Sequence, residues 1–150
     1  MIHLSSNERW MLYALKEAKK ADKIDEVPIG AIIVKDDMII GTGYNQMEIL
    51  KDSTAHAEII AITAASNKLG DWRLNSTSIY ITKEPCMMCA GAIINSRIEN
   101  IFYGLPDSEF GFDNLKNSLN IKMHHINNIE GGILKDECQK IIQEFFLKKR

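Results

Sequence analysis

A chain of 150 residues with 45% hydrophobic and 25% charged residues has the length and balance of one globular domain with a buried core, which excludes a disordered or fibrous protein. Its formal net charge of −2 argues against avid binding to nucleic acid through bulk positive charge, although clustered lysines can still build a local patch. Three cysteines are too few, and too odd a number, for a disulfide framework, so no disulfide partner is expected and the thiols point to a reducing compartment and a metal.

The first ten residues have neither the basic start and apolar stretch of an export signal nor a cleavage site. No apolar run approaches a membrane span, so a cytoplasmic protein with no membrane association is expected. Ser5 and Glu8 form a capping-box pattern that opens a helix over residues 6–21, with Met11, Ala14, Leu15 and Ala18 as its apolar stripe. Lys16, Lys19, Lys20 and Lys23 on the same helix read first as a solvated face. Residues 29–35 and 38–43 then read as two strands joined at Asp36-Asp37 in an antiparallel hairpin. Asn45 follows Gly43-Tyr44, a setting where asparagine serves as a turn residue or as a substrate contact.

Next comes a helix carrying His56 and Glu58, opened by an N-cap at Asp52, Ser53 or Thr54 and running to residue 66. A third strand covers 78–82, and a helix through Cys86 and Cys89 runs to residue 96 with Pro85 at its first position. A fourth strand covers 100–103, followed by a loop over the site from 106 to 120 and a weak strand near 122–127. The last helix spans 134–148, carries Cys138 as an inert core thiol and ends in Lys148-Lys149-Arg150. Strand–helix alternation after the hairpin predicts an α/β protein, with a mixed sheet covered by helices on both faces and a site at the C-terminal strand edge. Neither a repeat nor a linker interrupts the pattern, so residues 1–150 are expected to form a single domain.

The chemistry concentrates in His56-Ala57-Glu58 and Pro85-Cys86-Met87-Met88-Cys89. Two thiolates and an imidazole give a Zn2+ ion three ligands and leave a tetrahedral position for water, the ligand count of a catalytic site. Cys86 and Cys89 lie three apart and share one helix face, whereas His56 and Glu58 lie two apart and converge only near a helix end. Two helix N-termini aimed at one zinc are therefore expected, where the helix dipoles favour thiolates. Glu58 beside the ion would shuttle protons, and the backbone N–H of Ala57 or of a residue beside Cys86 would polarise the attacking water. Taken alone, Cys-x-x-Cys also fits a redox pair, half of a structural zinc site or two buried thiols. A closed four-ligand site would need His3, His124, His125 or Cys138 as its fourth ligand, and the spacing singles out none of them.

H-x-E followed by P-C-x-x-C is the signature of zinc nucleobase deaminases. Beyond it, Val27-Pro28-Ile29-Gly30-Ala31, Gly43-Tyr44-Asn45, Thr54-Ala55-His56-Ala57-Glu58-Ile59 and Glu84-Pro85-Cys86-Met87-Met88-Cys89-Ala90-Gly91-Ala92 resemble the bacterial tRNA adenosine deaminases (TadA type) of the cytidine-deaminase-like superfamily. Gly131-Gly132-Ile133-Leu134, Glu137-Cys138 and Phe145-Phe146 before a basic end extend the resemblance. It implies a three-layer α/β/α sandwich with a mixed five-stranded sheet, commonly a homodimer, that makes inosine at the wobble position of a tRNA anticodon loop. It also implies zinc on His56, Cys86 and Cys89, Glu58 as proton shuttle, Asn45 bonded to the base, Val27 lining the base pocket and Asp107 beside the substrate strand. The chain departs from that pattern at Glu109, where the family usually has lysine, at Phe110 and Phe112, and at Met123-His124. These departures leave open a deaminase of a free base or nucleoside, of guanine or cytosine type; a non-enzymatic zinc or RNA-binding module is the third reading.

Overall fold

Ser5 starts the first helix with a reciprocal cap: its hydroxyl accepts the Glu8 N–H at 3.1 Å, and the Glu8 carboxylate accepts the Ser5 N–H at 3.1 Å. Helix α1 spans Ser6–Lys23 in the computed structural model, which describes residues 3–113 and 125–149. Strands β1 (Gly30–Lys35) and β2 (Met38–Tyr44) form the hairpin. Asp36 and Asp37 both take positive φ, 50° and 59°, the pair that lets a two-residue turn match the twist of its strands.

Strand β3 (Ser78–Lys83) pairs antiparallel with the other edge of β1, and β4 (Asn100–Leu105) runs parallel to β3. Strand β5 (Asn128–Glu130) adds a second parallel pair, giving the order β2-β1-β3-β4-β5. This is the mixed five-stranded sheet foreseen from the sequence, with its last strand displaced. Of the expected strand at 122–127, residues 122–124 lie outside the described residues and 125–127 are not strand. Asparagines fix this edge: the Asn127 N–H donates to the Glu99 carbonyl at 2.7 Å, and the Asn128 carboxamide donates to Asn100 Oδ1 at 2.7 Å.

Alternation along the strands sorts the core into two layers. Ala31, Ile33, Ile79, Ile81, Ile101 and Tyr103 face helices α3 (Ala57–Leu69) and α4 (Met87–Asn95). Ile32, Val34, Tyr80 and Phe102 face α1 and the last helix, α5 (Lys135–Lys148), where Cys138 is fully buried. The result is the expected α/β/α sandwich. A single helical turn, α2 (Met47–Leu50), follows β2 and was not foreseen; the buried Glu26 carboxylate accepts the Glu48 N–H at 2.8 Å and holds it in place. Among the described residues no helix is long and apolar enough to cross a membrane.

Backbone contact between α3 and β2 sets where α3 begins. A Cβ on Gly43 would fall on the Ala57 carbonyl oxygen, and one on Gly41 would fall on that of Ala61. Ala57, Ala61 and Ala65, one turn apart, complete this close approach and are fully buried. Gly43→Ala is therefore expected to destabilise the fold by about 3 kcal/mol and to lower metal occupancy together with it. Chemical denaturation and metal content check this; a variant as stable and as fully loaded as wild type would contradict it.

Candidate active site and metal centre

His56 and Cys86 are both helix N-caps. Each has extended backbone, φ −78° and ψ 154° for His56 and φ −72° and ψ 175° for Cys86, so each side chain projects from the start of its helix. This shifts the expected caps. Asp52 instead closes a local turn, its Oδ1 accepting the Thr54 N–H at 2.8 Å and the Thr54 hydroxyl at 2.7 Å. Pro85 precedes the cap and does not occupy the first helical position. The two N-termini nevertheless meet as the sequence suggested.

His56 Nδ1 lies 3.8 Å from Cys86 Sγ and 3.4 Å from Cys89 Sγ, and the three ligand atoms all fall within 4.8 Å of one another. Around a tetrahedral zinc with a Zn–S bond of about 2.3 Å and a Zn–N bond of about 2.0–2.1 Å, a sulfur and a nitrogen stand about 3.5 Å apart. The donor set and its spacing thus fit a zinc ion. The group contains none of the candidate fourth ligands within the described residues: His3 is exposed, Cys138 lies in the core layer on the opposite face of the sheet, and His125 stands outside the group. His124 falls outside the described residues.

Glu58, on the first turn of α3, is 4% exposed and adjoins this group. Burial pushes its carboxyl above the usual carboxylate range, against hydrogen bonds from its own N–H and from Cys89. The Cys89 thiol donates to Cys86 and, with His56, holds the Cys86 thiol down at about 3. That same bond, reinforced by burial and by Glu58, drives Cys89 far up. Hydrogen bonding with Cys86 raises His56 against the opposing effect of burial. A cation bound by both sulfurs would displace the thiol proton that these shifts favour on Cys89.

The group opens into a cavity of about 350 Å³ lined by Val27, Ile29, Asn45, Met47, His56, Glu58, Lys83, Glu84, Cys86, Asp107 and Phe110. Val27, Asn45 and Asp107 are among these lining residues. Asn45 is 7% exposed, at the junction of β2 and α2. Ala57 does not line the wall; its methyl group is fully buried in the core, at the first position of α3. Sequence reasoning assigned no role to Met47, Lys83 and Glu84. The Glu84 carboxylate accepts the Asp107 N–H at 2.9 Å and the Asp113 N–H at 3.0 Å, tying the loop after β4 to the strand that precedes Cys86. Its sequence signals were a carboxylate at a strand end directly before Pro85 and its place in the family-like segment 84–92.

Asp107 pairs with Lys83 at 3.1 Å, and its other oxygen accepts the N–H groups of Glu109 and Phe110, each at 3.0 Å. Burial works against the Asp107 charge, but these N–H groups and Lys83 outweigh it and hold the carboxyl below its usual range. A groove of about 660 Å³ continues from the cavity through Val27, Asn45 and Met47 toward Lys51, Phe145 and Lys149. The basic end is partly neutralised: Lys148 pairs with Asp22 at 3.4 Å and Lys149 with Asp25 at 2.6 Å. Arg150 and the Met123-His124 departure lie outside the described residues.

The family profile of the MafB19-like deaminases matches residues 5–150. A tRNA-specific adenosine deaminase of Buchnera aphidicola is 46% identical over 94% of this chain and 94% of its own length. A solved structure from studies of A-to-I editing by tRNA:A34 deaminases at the wobble position of transfer RNA superposes with a TM-score of 0.83 at 38% identity, covering 89% of this chain and 98% of that one. A guanine deaminase from Bacillus subtilis matches with a TM-score of 0.65 at 32% identity, covering 81% of this chain and 79% of that one. On these similarities, and with this fold and cavity, the chain belongs to the deaminase family, within the group of the tRNA-specific adenosine deaminases.

Proposed function

We propose that this protein is a zinc-dependent hydrolytic deaminase that converts adenosine to inosine at the wobble position of a tRNA anticodon. The observation that carries the reading is the buried Glu58 carboxyl beside a three-donor group at a cavity wall. His56, Cys86 and Cys89 would hold the metal, which when bound supplies a Lewis acid that acidifies water near neutral pH. Glu58 takes one proton from the attacking water at its carboxylate and passes it to the ring nitrogen beside C6 as the C6–O bond forms. It then takes the remaining proton of that hydroxyl and gives it to the departing amine as the C6–N bond breaks, so adenine and water give hypoxanthine and ammonia. Val27 and Ile29 offer apolar contact to the base, Asn45 a carboxamide for its polar edge, and the Ala57 N–H, at the helix start, a donor without an intrahelical carbonyl.

Similarity to the guanine deaminase favours a second reading, turnover of a free base, and Glu109 would suit it. Two points favour tRNA: the higher identity and coverage of the tRNA deaminases, and the groove that extends the cavity, which a free base leaves unused. A non-enzymatic module would need a fourth protein ligand, and the group has three donors among the described residues. The reading includes a homodimer, supported by exposed Met87 and Met88 and by open space beside Gly91 on α4. It also includes a cytoplasmic location, where tRNA is found.

The zinc protein, incubated with tRNA bearing adenosine at the wobble position and in parallel with free guanine, adenine, cytosine and their nucleosides, is expected to form inosine in tRNA alone; turnover of a free base would overturn the assignment. Glu58→Gln should keep zinc yet lose at least about two orders of magnitude in kcat, and near-normal turnover would contradict the proton-transfer role. Because the Cys89 proton must leave for the metal to bind, apparent zinc affinity should rise about ten-fold per pH unit for each displaced proton between pH 6 and 8. Competition titration with a chelator reads this, and a pH-independent affinity would contradict it. Sedimentation equilibrium should give twice the chain mass, and a single-chain mass would exclude the dimer.

A further inference from the structure

Phe110 is 67% exposed, more than any other large hydrophobic residue among the described residues, yet it lines the active-site cavity with Val27, Ile29 and Met47. Exposed apolar rings on loops commonly belong to mobile tips. This one sits on an anchored turn. Asp107 Oδ1 accepts the Phe110 N–H at 3.0 Å, and the Gly111 N–H closes on the Asp107 carbonyl at 3.1 Å. On either side Glu84 binds the backbone of Asp107 and Asp113, and Gly111 pairs with Cys86. Phe112, 1% exposed, is inserted into the core, and its N–H donates to the Pro85 carbonyl at 3.0 Å. One phenylalanine thus anchors the segment and the other is presented at the cavity.

The charges around Phe110 do not suit a phosphate. Glu109 is its neighbour, and Lys83 is already engaged by Asp107. A substrate strand passing here has little to gain from its backbone and much from the face of a base, since stacking on an aromatic ring is indifferent to that charge balance. We propose that Phe110 is a stacking platform for the nucleobase that flanks the reacting adenosine in an RNA loop, and so a specificity-determining residue of the mouth. The proposal rests on the reading of the protein as a tRNA deaminase. The reacting base itself must reach the wall where Glu58 and His56 lie, which leaves the exposed ring for its neighbour.

The test uses the full-length zinc protein and an anticodon stem-loop RNA with adenosine at the wobble position. Phe110→Ala and Phe110→Leu should raise KM roughly 5- to 100-fold, with the larger part of the loss in KM and not in kcat. Phe110→Tyr and Phe110→Trp should restore it, and the indole introduced by F110W should be quenched on RNA binding. Stem-loops made abasic on the 5′ or the 3′ side of the adenosine complete a cycle: against one of the two, Phe110→Leu should cost nothing further. Unchanged KM in Phe110→Leu, or additive losses with both abasic RNAs, would overturn the proposal. Should the wild-type protein make no inosine in the intact stem-loop, the functional reading fails first; inosine formed equally well by Phe110→Leu sinks only the stacking role.

Discussion

Helix α3 lies with its backbone almost on that of β2, because Gly41 and Gly43 present no side chain and Ala57, Ala61 and Ala65 answer with single methyl groups. This contact decides the position of the helix start to within the width of a methyl group, and the start carries His56 as N-cap and Glu58 in its first turn. Helix α4 begins beside it, after parallel-paired β3, with Cys86 as its N-cap. Ligands borne on helix ends that are fixed by packing are more precisely placed than ligands on free loops. The spacing of three donor atoms follows from how two helices sit on one sheet.

The same arrangement determines the electrostatics. Burial raises Glu58, Cys86 and burial raise Cys89, and hydrogen bonding with Cys86 raises His56. Beyond the donors, Glu84 links the strand leading into Cys86 to the loop that bears Asp107 and Phe110. Metal segment and cavity mouth are therefore tied together, and Glu109 and Phe110 sit on the loop that Glu84 anchors.

Much of this was legible in the sequence because it is carried by local chemistry and strong periodicity. The capping box at Ser5, the two-aspartate turn at Asp36-Asp37 and the alternating apolar strands all act within a few residues. The donor set and its carboxylate were legible from residue type and spacing, and Val27, Asn45 and Asp107, singled out through family resemblance, lie on the cavity wall. Other features depend on tertiary context. Asp52 looked like a helix cap, but its carboxylate is taken up by Thr54, and extended φ/ψ at His56 makes the histidine itself the cap. Turn α2 has only four residues and leans on Glu26, which is twenty-two positions away. Strand β5 has three residues and one apolar side chain, and asparagine bonds across to Glu99 and Asn100 define it, so no period could announce it. Ala57 can offer the site only its N–H, since its methyl group is spent on the β2 contact.

The central claim is a metal held by one nitrogen and two sulfurs with a position left for solvent next to Glu58. X-ray absorption spectroscopy at the zinc edge of the loaded protein measures this most directly. The account predicts two sulfur ligands at about 2.3 Å and two lighter ligands, a nitrogen and a water oxygen, at about 2.0–2.1 Å, with one imidazole signature only. A third sulfur or a second imidazole would close the coordination shell and contradict it.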